Sequence, residues 1–159
     1  MGIDERKGTL AELIERGGIY PNLQGTTPRE ILSALIGALK VPLVQGDSLL
    51  EAVLEREALM STGIGKGIAI PHPRNPIVQS ESEEFAALAF LDHPVDWKSL
   101  DGERVDTVLL IVSASAKGHL RSLSEITFFC RQDDFCQLLK NRVPLDELLS
   151  FIREAEKNW

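Results

Sequence analysis

Apolar residues fall into helical spacing early in this chain. Leu10, Leu13 and Ile14 share one face of a predicted helix, and Gly17-Gly18 ends it. Ile19-Tyr20 reads as a short strand or bridge. Thr27, Pro28 and Glu30 form a capping box with proline at the first helical position, and Ile31, Leu32, Leu35, Ile36 and Leu39 then make one apolar stripe. Pro42 blocks simple continuation. A further helix is predicted from Gly46-Asp47 to about Met60, with Leu50, Val53 and Leu54 inward and Glu51, Glu55 and Glu57 outward. The polar residues 1 to 8 are expected to fray.

The pattern changes in the second half. Phe85 to Leu91 and Val105 to Val112 are continuous apolar runs, the signature of strands buried on both faces. Between them, Pro94-Val95-Asp96-Trp97 and Asp101-Gly102 predict a loop and a turn. A small-residue loop, Ser113 to Gly118, leads into a helix expected to start near His119, with Leu120, Leu123, Ile126, Thr127 and Cys130 on its inner face. Asp133-Asp134 caps a short helix carrying Phe135, Leu138 and Leu139, and Pro144 opens a last one with Leu145, Leu148, Leu149 and Ile152 inward. Helices, then strands, then strand-helix units fit a sheet of few strands covered by helices on both faces. No repeat or linker interrupts the chain, and 159 residues suit one domain spanning 1–159.

Charge narrows the function. A net charge of −7 argues against a nucleic-acid binder, which needs a basic stripe, and suits docking onto basic partners. Cys130 and Cys136 match no disulfide framework or metal pattern, so buried reduced thiols and a cytoplasmic location are expected. No signal peptide is expected, and runs such as Val108 to Val112 are too short to span a bilayer, so direct membrane insertion is not expected.

The chemistry concentrates between Ser61 and Arg74. Gly63, Gly65 and Gly67 alternate, a short apolar strand follows (Ile68, Ala69, Ile70), and His72 sits between Pro71 and Pro73. Glycine permits positive φ or close backbone approach, and proline stiffens the chain. The expectation is one imidazole on a rigid loop, open to an incoming group. A loop histidine bonded only for rigidity is the plain alternative. Yet two prolines around it restrict the chain more than such a residue needs, and a neutral imidazole is a competent nucleophile near neutral pH. Gly63-x-Gly65-x-Gly67 is not a dinucleotide fingerprint, Gly67 after Lys66 breaks the P-loop pattern, and no histidine pair has ligand spacing, so no metal is expected.

At these residues the chain resembles the enzyme IIA domains of the fructose/mannitol/nitrogen-regulatory class of the bacterial phosphoenolpyruvate-dependent phosphotransferase system. Three segments carry the likeness: the Gly-Ile-Ala-Ile-Pro-His run ending at His72; Glu55-Arg56-Glu57-Ala58-Leu59-Met60-Ser61-Thr62-Gly63; and His119-Leu120-Arg121-Ser122-Leu123-Ser124-Glu125-Ile126. The likeness extends from about Leu10 to Ile152. It implies an α/β fold, a three-layer α/β/α sandwich with a small mixed central sheet. It implies His72 as phosphoryl acceptor through Nε2, with Arg56 and His119 stabilising the group. Arg74, two residues from His72, competes with Arg56 for that role, and free amides at Gly118-His119 are candidate extra donors. His93, before the shared Pro-Val-Asp-Trp, reads as structural or surface, and Trp97 as a partly buried anchor.

The resemblance further implies a donor, the small histidine phosphocarrier protein, and no dissociable cofactor, because the phosphoryl group arrives covalently bound. Two roles stay open: a transport step feeding a sugar permease component, and a regulatory protein whose phosphorylation state controls target proteins. No fused membrane or phosphocarrier domain is expected, which leans towards the stand-alone, nitrogen-regulatory type, although separate transport subunits also exist. A binding module that keeps only the fold is the third reading.

Overall fold

The computed structural model describes residues 8–41 and 46–157. Of the residues 1–8 expected to fray, 1–7 lie outside them, as does the helix stop at Pro42, while Gly8 is buried and its N–H donates to Glu12 Oε2 at 3.1 Å. Helix α1 (Leu10–Gly17) is capped by the Thr9 side chain, which accepts from the Glu12 N–H, and is closed by Gly18, whose φ of 88° only glycine adopts easily. Strand β1 (Ile19–Leu23) follows directly. Helix α2 (Pro28–Ala38) has the Thr27 cap and the proline start that the sequence predicts. Only half of the capping box closes, since the Glu30 carboxylate accepts the Thr26 hydroxyl at 2.9 Å. Helix α3 (Gly46–Leu59) runs towards the glycine-rich segment.

Strands β2 (Gly63–Gly65), β3 (Ile68–Ala69), β4 (Phe85–Val95) and β5 (Val105–Val112) complete a five-stranded sheet of order β1-β4-β5-β3-β2. It is mixed: β1/β4 and β3/β5 are parallel, while β4/β5 and β2/β3 are antiparallel. Helices α4 (Ala116–Cys130), α5 (Asp133–Lys140) and α6 (Leu145–Glu156) follow. Strand alternation sends side chains into two cores. Ala86, Leu88, Phe90, Leu109 and Ile111 pack with α1, α4, α5 and α6. Phe85, Ala87, Ala89, Leu91, Val108, Leu110 and Val112 pack with α2 and α3. Both long strands are covered on both faces, as their unbroken apolar runs require, and the result is the α/β/α sandwich.

Three local expectations are corrected. Strand β4 does not stop at Leu91 but continues through His93 and Pro94 to Val95, which pairs with Val105. Proline is tolerated there because the register shifts between Phe90 and Val95, so no regular ladder bond is lost. Trp97 is not partly buried but 1% exposed. The inner face of α4 is rotated from the predicted one: Ser122, Glu125, Ile126, Phe129 and Cys130 point inward, while Leu120 and Thr127 are exposed. A helix reaching from the functional loops to the foot of α1 has polar work on its inner side, and apolar spacing does not register that.

Glu125 does such work. Its Oε2 accepts the Leu10 N–H at 2.7 Å, satisfying an orphan donor at the start of α1. Glu156 accepts the neighbouring Ala11 N–H at 3.3 Å. Burial, aided by the Glu156 charge, raises the Glu125 pKa to about 7 against the opposing pull of the Leu10 bond and Arg121. From its ordinary 4.5 up to about 7 the folded chain therefore binds the proton and the unfolded chain does not, so this contribution to stability is lost as pH rises through that window. Glu125→Gln keeps an acceptor for Leu10 without the buried charge. Calorimetry at pH 8 should show a gain on the order of 1 kcal/mol, roughly 2–4 °C in Tm, that vanishes at pH 5. An equal shift at both pH values would contradict the account.

Candidate functional site

The site begins with the β2-β3 hairpin. Gly65 and Gly67 have φ of 98° and 79°, conformations that flank Lys66 and turn the chain back within a few residues. The strand is then fixed on both sides: the Ile70 N–H donates to Thr62 O at 3.0 Å, and Pro71 O accepts the Ile111 N–H at 3.1 Å. His72 leaves this strand with its Nδ1 2.8 Å from Ile70 O. A carbonyl only accepts, so Nδ1 carries the ring proton and Nε2 keeps the lone pair.

His119 comes from α4. Its ring lies 4.7 Å from that of His72, centroid to centroid, at an interplanar angle of 49°. The structure thus joins two imidazoles that are far apart in sequence. The His72 ring is not open as the sequence suggested: it is buried, at 6% exposure, because the facing helix lays His119 on it. His119 itself is half-buried.

Arg56 occupies the last turn of α3, where its Nη1 donates to Met60 O at 2.7 Å. Its charge reaches both imidazoles and disfavours their protonation. Arg74 is exposed and shares with Arg56 a groove of about 560 Å³, walled by Glu55, Leu59, Asn75 and Ile77. Exposed Leu59 and Met60 lie on the same α3 terminus, and His93 is exposed on β4. Among the described residues no cluster of three or more His, Cys, Asp or Glu is arranged to hold a metal.

The expected free amides at Gly118-His119 are closed. Helix α4 starts earlier than predicted, at Ala116, so His119 is already inside it: its N–H donates to Ser115 O, and the Gly118 N–H to Ser115 Oγ, both at 3.0 Å. Buried Glu84 occupies the same helix end, accepting the Ala114 N–H at 2.8 Å. Sequence reasoning also missed Glu57. It does not face solvent but turns back onto Thr62, accepting its N–H at 2.7 Å and its hydroxyl at 2.6 Å. Only the Thr62 position, next to a glycine turn that brings the chain back under the helix, hinted at it.

Residues 12–155 match the family model described as phosphoenolpyruvate-dependent sugar phosphotransferase system, EIIA 2. The chain belongs to that family. A nitrogen regulatory protein of Bradyrhizobium diazoefficiens is 32% identical over 136 residues, covering 82% of this chain and 86% of the relative. The 2-O-alpha-mannosyl-D-glycerate-specific EIIABC component of Escherichia coli is 30% identical over 89% of this chain, which spans 22% of that longer protein. Among solved structures, nitrogen regulatory protein IIA-Ntr from Neisseria meningitidis superposes with a TM-score of 0.73 at 24% identity, covering 89% of this chain and 97% of the other. IIA mannitol from Escherichia coli gives 0.62 at 18%, over 84% and 94%. These last two show the shared fold.

In this enzyme IIA the electrostatics favour neutral rings. Burial is the main cause lowering the His72 pKa, opposed by the Ile70 carbonyl and reinforced by Arg56. For His119 the causes are burial, then the charge of His72, then Arg56. The packing of the two rings brings the His72 charge to bear on His119. Below the ordinary value of 6.5 the unfolded chain binds more protons than the folded one, so both rings erode stability as pH falls through that range. Arg56→Ala removes a like charge, and both imidazole pKa values should rise in an NMR titration. An unchanged His72 titration would place the guanidinium too far away to matter.

Proposed function

We propose that this enzyme IIA carries its phosphoryl group on Nε2 of His72, receiving it from the phosphohistidine of the small histidine phosphocarrier protein. One observation carries the reading: the Nδ1–H of His72 is bound to Ile70 O while the ring packs against His119 within reach of the Arg56 charge. With Nδ1 engaged, Nε2 is the nitrogen left with a lone pair. It attacks phosphorus and forms the new N–P bond. The donor's N–P bond breaks, and its electron pair returns to the donor imidazole. The His72 ring gains positive character as it bonds phosphorus, and the Ile70 carbonyl stabilises the Nδ1–H that bears it. The phosphoryl oxygens carry negative charge through a loose transition state, which calls for positioned cations and donors. Arg56 is suited by its planar fork, and His119 by its position over the acceptor ring.

Burial of His72 favours this role, since a desolvated, unprotonated imidazole keeps its lone pair near neutral pH. The phosphoryl group arrives covalently bound, so the step needs no dissociable cofactor. Among the downstream roles we favour the regulatory one, in which phosphorylation state controls a target protein. The support is the identity to nitrogen regulatory proteins over most of both chains. A transport step towards a sugar permease component is the second reading, favoured by the identity to EIIABC components. We assign the protein to the cytoplasm: Cys130 and Cys136 are buried free thiols, and no helix among the described residues is long and apolar enough to cross a membrane.

Incubation with phosphoenolpyruvate and the purified general components of the system should add one phosphoryl group, seen by intact-mass spectrometry. The label should be acid-labile and base-stable, as a phosphoramidate is. His72→Ala should abolish it and leave the circular dichroism spectrum unchanged; a fully labelled variant refutes the assignment. A base-labile, acid-stable label would move the acceptor to a hydroxyl such as Ser61 or Thr62. Arg56→Ala should slow transfer by roughly 10²-fold, the loss typical of one preorganised charge-stabilising donor, while changing carrier affinity far less. Equal loss of rate and affinity would make Arg56 a docking residue.

A further inference from the structure

Glu57 stands where helix physics does not want it. An anion in the last turn of a helix opposes the dipole, at a cost of about 0.3–1 kcal/mol. It also follows Arg56 directly, but consecutive helical residues point apart, and among the described residues the two form no ion pair. Instead the carboxylate makes two short bonds to Thr62, which is 4% exposed. Charge-assisted bonds of this kind are the strong ones, and they offset the unfavourable dipole. From Thr62 the connection continues: Thr62 O accepts the Ile70 N–H at 3.0 Å, and Ile70 O accepts the His72 Nδ1–H at 2.8 Å. An unbroken run of hydrogen-bonded and covalent links therefore joins the end of α3 to the imidazole.

We infer that Glu57 is a positioning residue: by clamping Thr62 it locks the last turn of α3 to the strand bearing His72, and so holds the Arg56 guanidinium in register with that ring. The clamp also engages one of the two carboxylates that flank Arg56 in sequence, Glu55 being the other. The inference rests on the reading of His72 as phosphoryl acceptor, and its test separates the two.

The test is a double-mutant cycle of Glu57→Ala and Arg56→Ala, read by single-turnover phosphorylation from the phosphorylated carrier protein and by NMR titration of the imidazoles. Glu57→Ala should slow transfer about tenfold or more, within the roughly 10²-fold that a misplacement of about 1 Å costs. It should raise both imidazole pKa values towards those of Arg56→Ala. In the Arg56→Ala background it should add less than about twofold, because the two residues act as one unit. Glu57→Gln keeps an acceptor for the Thr62 N–H and a donor to its hydroxyl, and should restore most of the rate. Thr62→Val removes only the hydroxyl bond; it should fall between wild type and Glu57→Ala, and it takes over in the cycle if Glu57→Ala does not fold. A wild-type rate in Glu57→Ala, or losses that multiply fully with those of Arg56→Ala, overturns the clamp. If wild-type protein takes no label, the acceptor reading fails instead, and the titrations decide the clamp alone: unshifted imidazoles in Glu57→Ala overturn it.

Discussion

Ile70 spends both of its backbone groups on the site. Its N–H reaches back to Thr62 and its C=O reaches forward to the His72 ring, while Pro71 O next along accepts from β5. Strand β3 has only two residues, so it has little stability of its own. It persists because β5, a buried eight-residue strand, pairs alongside it and β2 folds over its other edge. Everything that fixes the imidazole passes through this narrow strip: the tautomer through Ile70 O, the ring's height over the sheet through Pro71, and the link to α3 through Thr62.

Burying a histidine usually disfavours its charged form, and here that suits the proposed chemistry. A phosphoryl acceptor has to be unprotonated when the donor arrives. Desolvation and Arg56 push His72 in that direction, and the Ile70 carbonyl pulls against them. In the proposed mechanism that carbonyl would become useful once phosphorus is bound and the ring carries charge. The one contact that favours protonation in the resting ring is thus the one that would suit the phosphorylated ring of the proposed mechanism. Ser115 closes the Gly118 and His119 amides of α4 and Glu84 takes the Ala114 N–H just before the helix, so on the proposed reading these amides are not donors to a phosphoryl group.

Two separate cores hold this strip in place. The α2/α3 side supplies the turn that carries Arg56, and the α1/α4/α5/α6 side supplies His119. The guanidinium and the second imidazole therefore arrive from opposite layers, and the sheet between them decides their separation. Glu125 extends the argument to the far end of α4. A buried carboxyl group on the start of α1 ties the helix bearing His119 to α1 within the same layer, and its raised pKa reflects how dry that junction is.

Much of this was legible in the chain itself. The cap at Thr27, the two unbroken apolar runs of β4 and β5, and the Pro-His-Pro segment are local signals that need no partner to be read. The motif around His72, with its two distant companions, marked the family. Other features were decided only by folding. Strand order, the run of β4 through Pro94, and the rotation of α4 depend on which elements meet, and periodicity is silent on that. The burial of His72 exists only because α4 returns across the sheet to lay a second ring on the first. Glu57 looked like solvent-facing charge because its helix is polar there. What turned it inward was a pair of hydrogen bonds to a residue beyond the helix end, and such a contact comes into being only when the chain has already folded back.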